Sequence, residues 1–160
     1  MLDSNTFKTV VDSTPLVSID LIIINNNDEI LLGKRKNKPA QGFYFTIGGR
    51  VYKNESMIVA ANRILNEELG LKLKYKLTFI GIFEHFYDDS IFSNISTHYV
   101  NMAYKMKWND PDLNSLTTTQ HSIYKWVSMS DLISDSKVHG NVKAYFETDK
   151  NRARIQRPTV

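Results

Sequence analysis

The stretch GGRVYKNESMIVAANRILNEELGL, residues 48–71, constrains this chain more than any other. Two glycines open it as an expected turn, a polar loop follows, and the remainder has a helical period. Over residues 55–69, Ile58, Ala61, Leu65 and Leu69 are spaced i, i+3, i+7 and i+11, which predicts a helix with that apolar stripe toward a core. Arg63, Glu67 and Glu68 are expected on the other side, with Arg63 and Glu67 at i, i+4 and able to hold each other's rotamers. Gly70 is placed to end the helix. Carboxylates on one helix face suit a hard cation such as Mg²⁺, which takes oxygen ligands, although a solvated charged face is the commoner outcome. Glycine at 48 and 49 allows close backbone approach, so that a carbonyl reaches a cation. The stretch therefore reads as a metal and phosphate site.

Its spacing resembles the Nudix box, G-x5-E-x7-R-E-U-x-E-E-x-G-U with U an aliphatic residue. Gly49, Glu55, Arg63, Leu65, Glu67, Glu68, Gly70 and Leu71 stand at matching positions. One position departs: Ile64 replaces the glutamate expected after the arginine, on the face assigned to metal. A site without that carboxylate is expected to hold fewer ions, or to hold them less tightly.

With 160 residues the chain is long enough for one compact domain, residues 1–160, ending in a basic tail from about 150 that is expected to fray. A net charge of +3 favours anionic ligands but is too small to point to a nucleic-acid or membrane binder. There is no cysteine, hence no thiolate site, and no apolar run of membrane length or signal-peptide pattern. A cytoplasmic enzyme is the expectation.

In chain order, residues 3–12 suggest a short helix capped by Asp3 or Ser4 with Phe7, Val10 and Val11 on one side, stopped by Pro15. The β-branched run 16–24 reads as a strand, and NNND as the turn of a hairpin into EILLGKR. Asp20 is the one charge in that run and needs partners, either structural or from a ligand. Arg35 ends the second strand, where a guanidinium can clamp a phosphate. FYFTI, residues 43–47, is a strand leading into the glycines. LKLKYKL reads as an edge passage, while LTFIGIFEHFYDD and THYVNMAYKMKW suggest a second antiparallel pair carrying His85 and Tyr99. A polar loop over 108–123 brings Gln120 and His121 to the next strand, and short capped helices follow.

Beyond the box, TPLVSID, LLGKR, NKPAQGFYF, GGRV, EHFYDD, THYV and QHSIYKW occur in the order seen in the GDP-mannose mannosyl hydrolases, a Nudix branch that the chain resembles over nearly its whole length. The resemblance implies an α/β (α+β) Nudix fold, a mixed β-sheet sandwiched between helices, and a homodimer. It implies a nucleotide-sugar substrate and water attack at the anomeric carbon, releasing GDP and free sugar with inversion. Carried over residue by residue, it assigns Mg²⁺ to the Gly48 carbonyl, Glu68 and Gln120, with His121 as general base. Arg35, Arg50, Arg63 and Tyr99 match positions supporting the diphosphate, and Asp20 and His85 match positions near the reacting sugar and leaving group. Glu67 retains the ordinary Nudix carboxylate, so the number of metals stays open. The alternatives are a pyrophosphohydrolase giving a nucleoside monophosphate and sugar 1-phosphate, and a non-catalytic nucleotide-sugar sensor.

Overall fold

A computed structural model describes residues 2–71, 76–109, 113, 116 and 120–147. Helix α1 (Ser4–Ser13) begins where the Asp3 side chain accepts from the amides of Asn5 and Thr6, and Phe7, Val10 and Val11 pack with Leu16 and Ile95 as expected of its apolar side. Strands β1 (Leu16–Ile24), β2 (Ile30–Arg35), β3 (Tyr44–Phe45) and β4 (Ile47–Arg50) precede helix α2 (Met57–Leu69). Strands β5 (Thr78–Tyr87), β6 (Thr97–Lys107) and β7 (His121–Val127) follow, then α3 (Met129–Ser134) and α4 (Gly140–Lys143). The edge passage expected around LKLKYKL falls largely on 72–75, outside the described residues, as do most of the 110–119 loop and the tail.

The sheet is mixed and is held together by β1. Along its whole length β1 runs parallel to β6, from Leu16 opposite Tyr99 to Ile24 opposite Lys107, and β6 pairs antiparallel with β5 as expected. On its other edge β1 pairs antiparallel with β4, Asp20 opposite Gly48. The hairpin expected between β1 and β2 exists only at its closed end, where Ile24 faces Ile30. Beyond that point β2 leaves β1 and takes β7 and β3 as its partners. The seven strands thus form two ladders joined at one register pair, and between them a gap opens.

Because successive residues of a strand face opposite sides, β1 feeds two cores. Ile19, Leu21 and Ile23 pack with Ala60, Ala61, Ile64 and Leu65 of α2, while Ile22 and Ile24 pack with Leu132 of α3 and Val142 of α4 on the other face. The sheet lies between helical layers, the sandwich that the resemblance implied. Two local expectations are corrected. Gly48 and Gly49 lie within strand β4 rather than in a turn, because β1 offers Asp20 and Ile19 as partners there. Ile58 is exposed: it sits in the first turn of α2, before Ala60, where the buried face begins.

Candidate active site

The gap between the ladders is a cavity of about 300 Å³. Its lining brings together eight of the ten residues singled out from the sequence: Asp20, Arg35, Gly48, Arg50, Arg63, His85, Tyr99 and Gln120. Register explains much of this. Asp20 faces Gly48 across β1 and β4, Ser18 faces Arg50 in the same pairing, and His85 faces Tyr99 across β5 and β6. Arg35 and the start of β7 are neighbours because β2 and β7 pair, and the Lys36 amide donates to the Gln120 carbonyl at 2.9 Å. The remaining two, Glu68 and His121, are buried immediately behind this surface rather than lining it.

Asp20 is buried among hydrogen-bond donors. Its Oδ2 accepts from the Tyr145 hydroxyl and from Thr46 Oγ1 (3.2 Å). Its Oδ1 lies over Gly48, where a Cβ would stand 2.2 Å from it, so only glycine admits the carboxylate there. Burial pushes the Asp20 carboxyl up to about 6, against the opposing pull of Tyr145, Thr46 and the Arg35 charge. Burial likewise lowers His85 to about 4, so the imidazole at the cavity is neutral at pH 7.

Glu68 was expected on the charged side of α2, and the structure reverses this. Its side chain is only 1% exposed and its Oε2 lies 3.1 Å from His121 Nδ1, itself equally buried. Burial raises the Glu68 carboxyl, and the His121 ring opposes that rise. The contact is close but not aligned as a hydrogen bond, and His121 Nε2 has no hydrogen-bond partner among the described residues. Polar atoms left like this in a buried site are expected where a ligand completes the geometry. The imidazole fits beside β2 only because residue 33 is glycine: a Cβ there would stand 2.5 Å from His121 Cγ.

The arginines divide into two kinds. Arg63 donates through Nε and Nη2 to both Glu55 oxygens (2.7 and 2.9 Å), through Nη2 to the Arg50 carbonyl (2.8 Å), and through Nη1 to Glu67 (3.1 Å). The guanidinium also lies over the Tyr52 ring at 3.9 Å, so it ties the loop before α2 to the helix. The Arg63–Glu67 pairing was expected from their spacing. The bidentate Glu55 contact was not, although Glu55 was recognised in the box; this pairing holds the Glu55 carboxyl below its usual range. Among the described residues the Arg35 side chain donates Nε to the Pro39 carbonyl (2.9 Å), and Arg50 lies over Phe7 of α1 at 4.0 Å. Both line the cavity.

Among the described residues no three His, Cys, Asp or Glu side chains stand together as a metal set. A metal here would need carbonyl and amide oxygens as well, the donor types in the set Gly48, Glu68 and Gln120 that the resemblance implies. Gly48 and Gln120 line the cavity wall, Glu68 is buried behind it, and carboxylate, carbonyl and amide oxygens are the donor types that a hard divalent cation takes. Tyr145 and Gly33 were not singled out as site residues. Tyr145 lies among residues that read as helix packing, and nothing local in sequence marks a glycine that makes room for an imidazole 88 residues away.

The NUDIX domain family model matches residues 14–147. The low-salt glycan biosynthesis protein Agl8 of Haloferax volcanii is 41% identical over 120 residues, 74% of each chain. Among solved structures, a MutT protein of Methanosarcina mazei superposes with TM-score 0.70 at 18% identity, covering 91% of this chain and 99% of its own. The dihydroneopterin triphosphate pyrophosphohydrolase of E. coli gives 0.65 at 20% identity, over 84% and 95%. Among the described residues no helix is long and apolar enough to cross a membrane.

Proposed function

The chain belongs to the Nudix family, and from that premise we propose that it hydrolyses GDP-mannose, or a close GDP-hexose, to GDP and free sugar by water attack at the anomeric carbon with inversion. As a Nudix hydrolase it acts on a small molecule, and the family generally uses a divalent metal, typically Mg²⁺. The observation that carries the finer reading is the contact of His121 Nδ1 with Glu68 Oε2 at 3.1 Å. The tautomer with its proton on Nδ1, the nitrogen on the side of that carboxylate, has its lone pair on Nε2, the atom without a partner among the described residues. An imidazole so fixed can take a proton from water. The relative in glycan biosynthesis supports a sugar-containing substrate.

In this reading Arg35 and Arg50 meet the negative charge that develops on the departing diphosphate. Asp20, across the cavity floor, faces the positive charge that grows at the sugar carbon, and His85 and Tyr99 complete that wall. Arg63 keeps the Arg50 carbonyl and the α2 carboxylates in register. Oxygens of Gly48, Glu68 and Gln120 would hold Mg²⁺, which would supply further charge neutralisation at the diphosphate. By analogy with inverting glycosidases, one water separates His121 from the anomeric carbon. A homodimer and a cytoplasmic location belong to the same proposal.

One observation favours a second reading. Glu67 lines the cavity with its side chain 53% exposed, whereas His121 does not line it. Glu67 and Glu68 together then serve attack at phosphorus, giving GMP and sugar 1-phosphate. Hydrolysis of GDP-mannose in ¹⁸O-water separates the two: label in mannose is the expected result, and label in a phosphate product overturns the reading adopted here.

A further inference from the structure

The Tyr145 hydroxyl is a junction that no motif announces. It lies just past α4, far along the chain from Asp20, and its ring is packed in the core on the α3–α4 side of the sheet, edge-on to Phe83 with centroids 4.8 Å apart. A phenol carries one proton and two acceptor lone pairs. The proton goes to Asp20 Oδ2. The acceptor positions then take Asn101 Nδ2 at 2.7 Å and His85 Nε2 at 3.1 Å. Asn101 is oriented in turn, because its Oδ1 accepts from Ser18 Oγ at 2.7 Å.

The hydrogen bonds thereby run in one direction, from Ser18 to Asn101 to Tyr145 and onto Asp20, with His85 feeding in from the side. Asp20, His85 and Ser18 reach the cavity wall, while Asn101 and Tyr145 stand behind it. Phenylalanine at 145 would fill nearly the same space. The hydroxyl is what links the wall residues to one another, and a buried polar network satisfied at every member holds its parts in a single arrangement.

We propose that Tyr145 is a positioning residue: its hydroxyl aims the Asp20 carboxylate at the reacting sugar carbon and fixes the His85 proton on Nε2, leaving Nδ1 as an acceptor. The inference rests on the role given to Asp20 above. Removing the hydroxyl deprives Asp20 of its charge-assisted hydrogen bond and takes from Asn101 Nδ2 and His85 Nε2 the acceptor they share. Tyr145→Phe is expected to lower kcat roughly 10- to 10²-fold, the range of a hydrogen bond to a charged group, with KM for GDP-mannose little changed.

A double-mutant cycle with Asp20→Asn is the test. If Tyr145 acts through Asp20, Tyr145→Phe costs nothing further in kcat once Asp20 is Asn. Losses that multiply overturn the inference while leaving the role of Asp20 standing. Full turnover by Asp20→Asn alone overturns both. A ¹⁵N imidazole spectrum of the unmutated protein reads the same geometry without turnover: His85 protonated on Nε2 supports the inference, and protonation on Nδ1 overturns it.

Discussion

Replacing Gly33 by alanine tests whether the His121 ring has to stand where it does. An added Cβ would lie 2.5, 2.6 and 2.9 Å from His121 Cγ, Cδ2 and Cβ. Carbon atoms pack at about 3.5 Å or more, so the ring has to retreat by about 1 Å. The backbone at 33 is not in the left-handed region, so the clash acts without added dihedral strain. Overpacking of this kind costs about 1–3 kcal/mol, and displacing a catalytic group by about 1 Å costs up to about 10² in rate. Gly33→Ala should therefore melt a few degrees lower and lose about 10²-fold in kcat on GDP-mannose with Mg²⁺ saturating. Gly140→Ala is the control, because nothing lies within 4 Å of a Cβ added there. A Gly33→Ala enzyme that melts lower yet turns over at the parental rate refutes the place of His121 in the mechanism.

Arg63→Lys replaces a planar fork with a point charge and cannot keep both Glu55 contacts and the Arg50 carbonyl. A loss of about 2 kcal/mol, seen as a melting point about 4–8 °C lower for a chain of this size, is expected by calorimetry; an unchanged melting point removes Arg63 as the tie between loop and helix. Acid stability offers a test of opposite signs. Asp20, raised from 3.8 to about 6, contributes stability that is full below 3.8 and lost as pH rises through 6; His85, lowered from 6.5 to about 4, contributes stability that is full above 6.5 and lost as pH falls through 4. Each shift is worth about 3 kcal/mol, so between pH 7 and pH 4 the two nearly cancel. Asp20→Asn leaves the His85 loss unopposed, and urea melts across that range should show the variant losing about 3 kcal/mol more than its parent. Parallel curves for the two proteins would remove this balance.

The local chemistry of the chain was open to reading, and the partnerships were less so. Asp3 as a cap, the β-branched run of β1 and the left-handed Gly70 at the end of α2 all follow from near neighbours in sequence. The parallel pairing of β1 with β6 does not, because a strand's period records which face is buried and not which strand lies beside it. Glu68 is the instructive case. It stands i+7 from Ala61 and i+4 from Ile64, both buried, so its angular position on the helix was always on the core side. Its charge argued for solvent, and position prevailed because His121 is brought in from β7 to meet it. Tyr145 stayed hidden for the same reason: its partners are drawn from β1, β5 and β6.

The departure at Ile64 from the Nudix pattern makes physical sense beside these partnerships. Ile64 is buried, and its Cγ1 stands 3.2 Å from where a Cβ on Gly49 would be, so an apolar side chain here seals α2 against β4. A carboxylate in its place would stand one turn from buried Glu68, and two buried like charges that close raise the cost of ionising both. With Ile64 the negative charge behind the cavity is concentrated on one residue, Glu68, which has an imidazole at hand to share it. Within the cavity lining, Asp20 is the buried carboxylate, held by hydroxyls, and Glu67 is the exposed one. Arg63 has four hydrogen bonds within the protein to satisfy, whereas Arg35 and Arg50, also in the lining, show fewer among the described residues. A ligand that is anionic at one end and polyhydroxylic at the other matches that order of charges. In the function proposed above, the diphosphate would lie at Arg35 and Arg50 and the sugar at Asp20, all three of which line the one cavity.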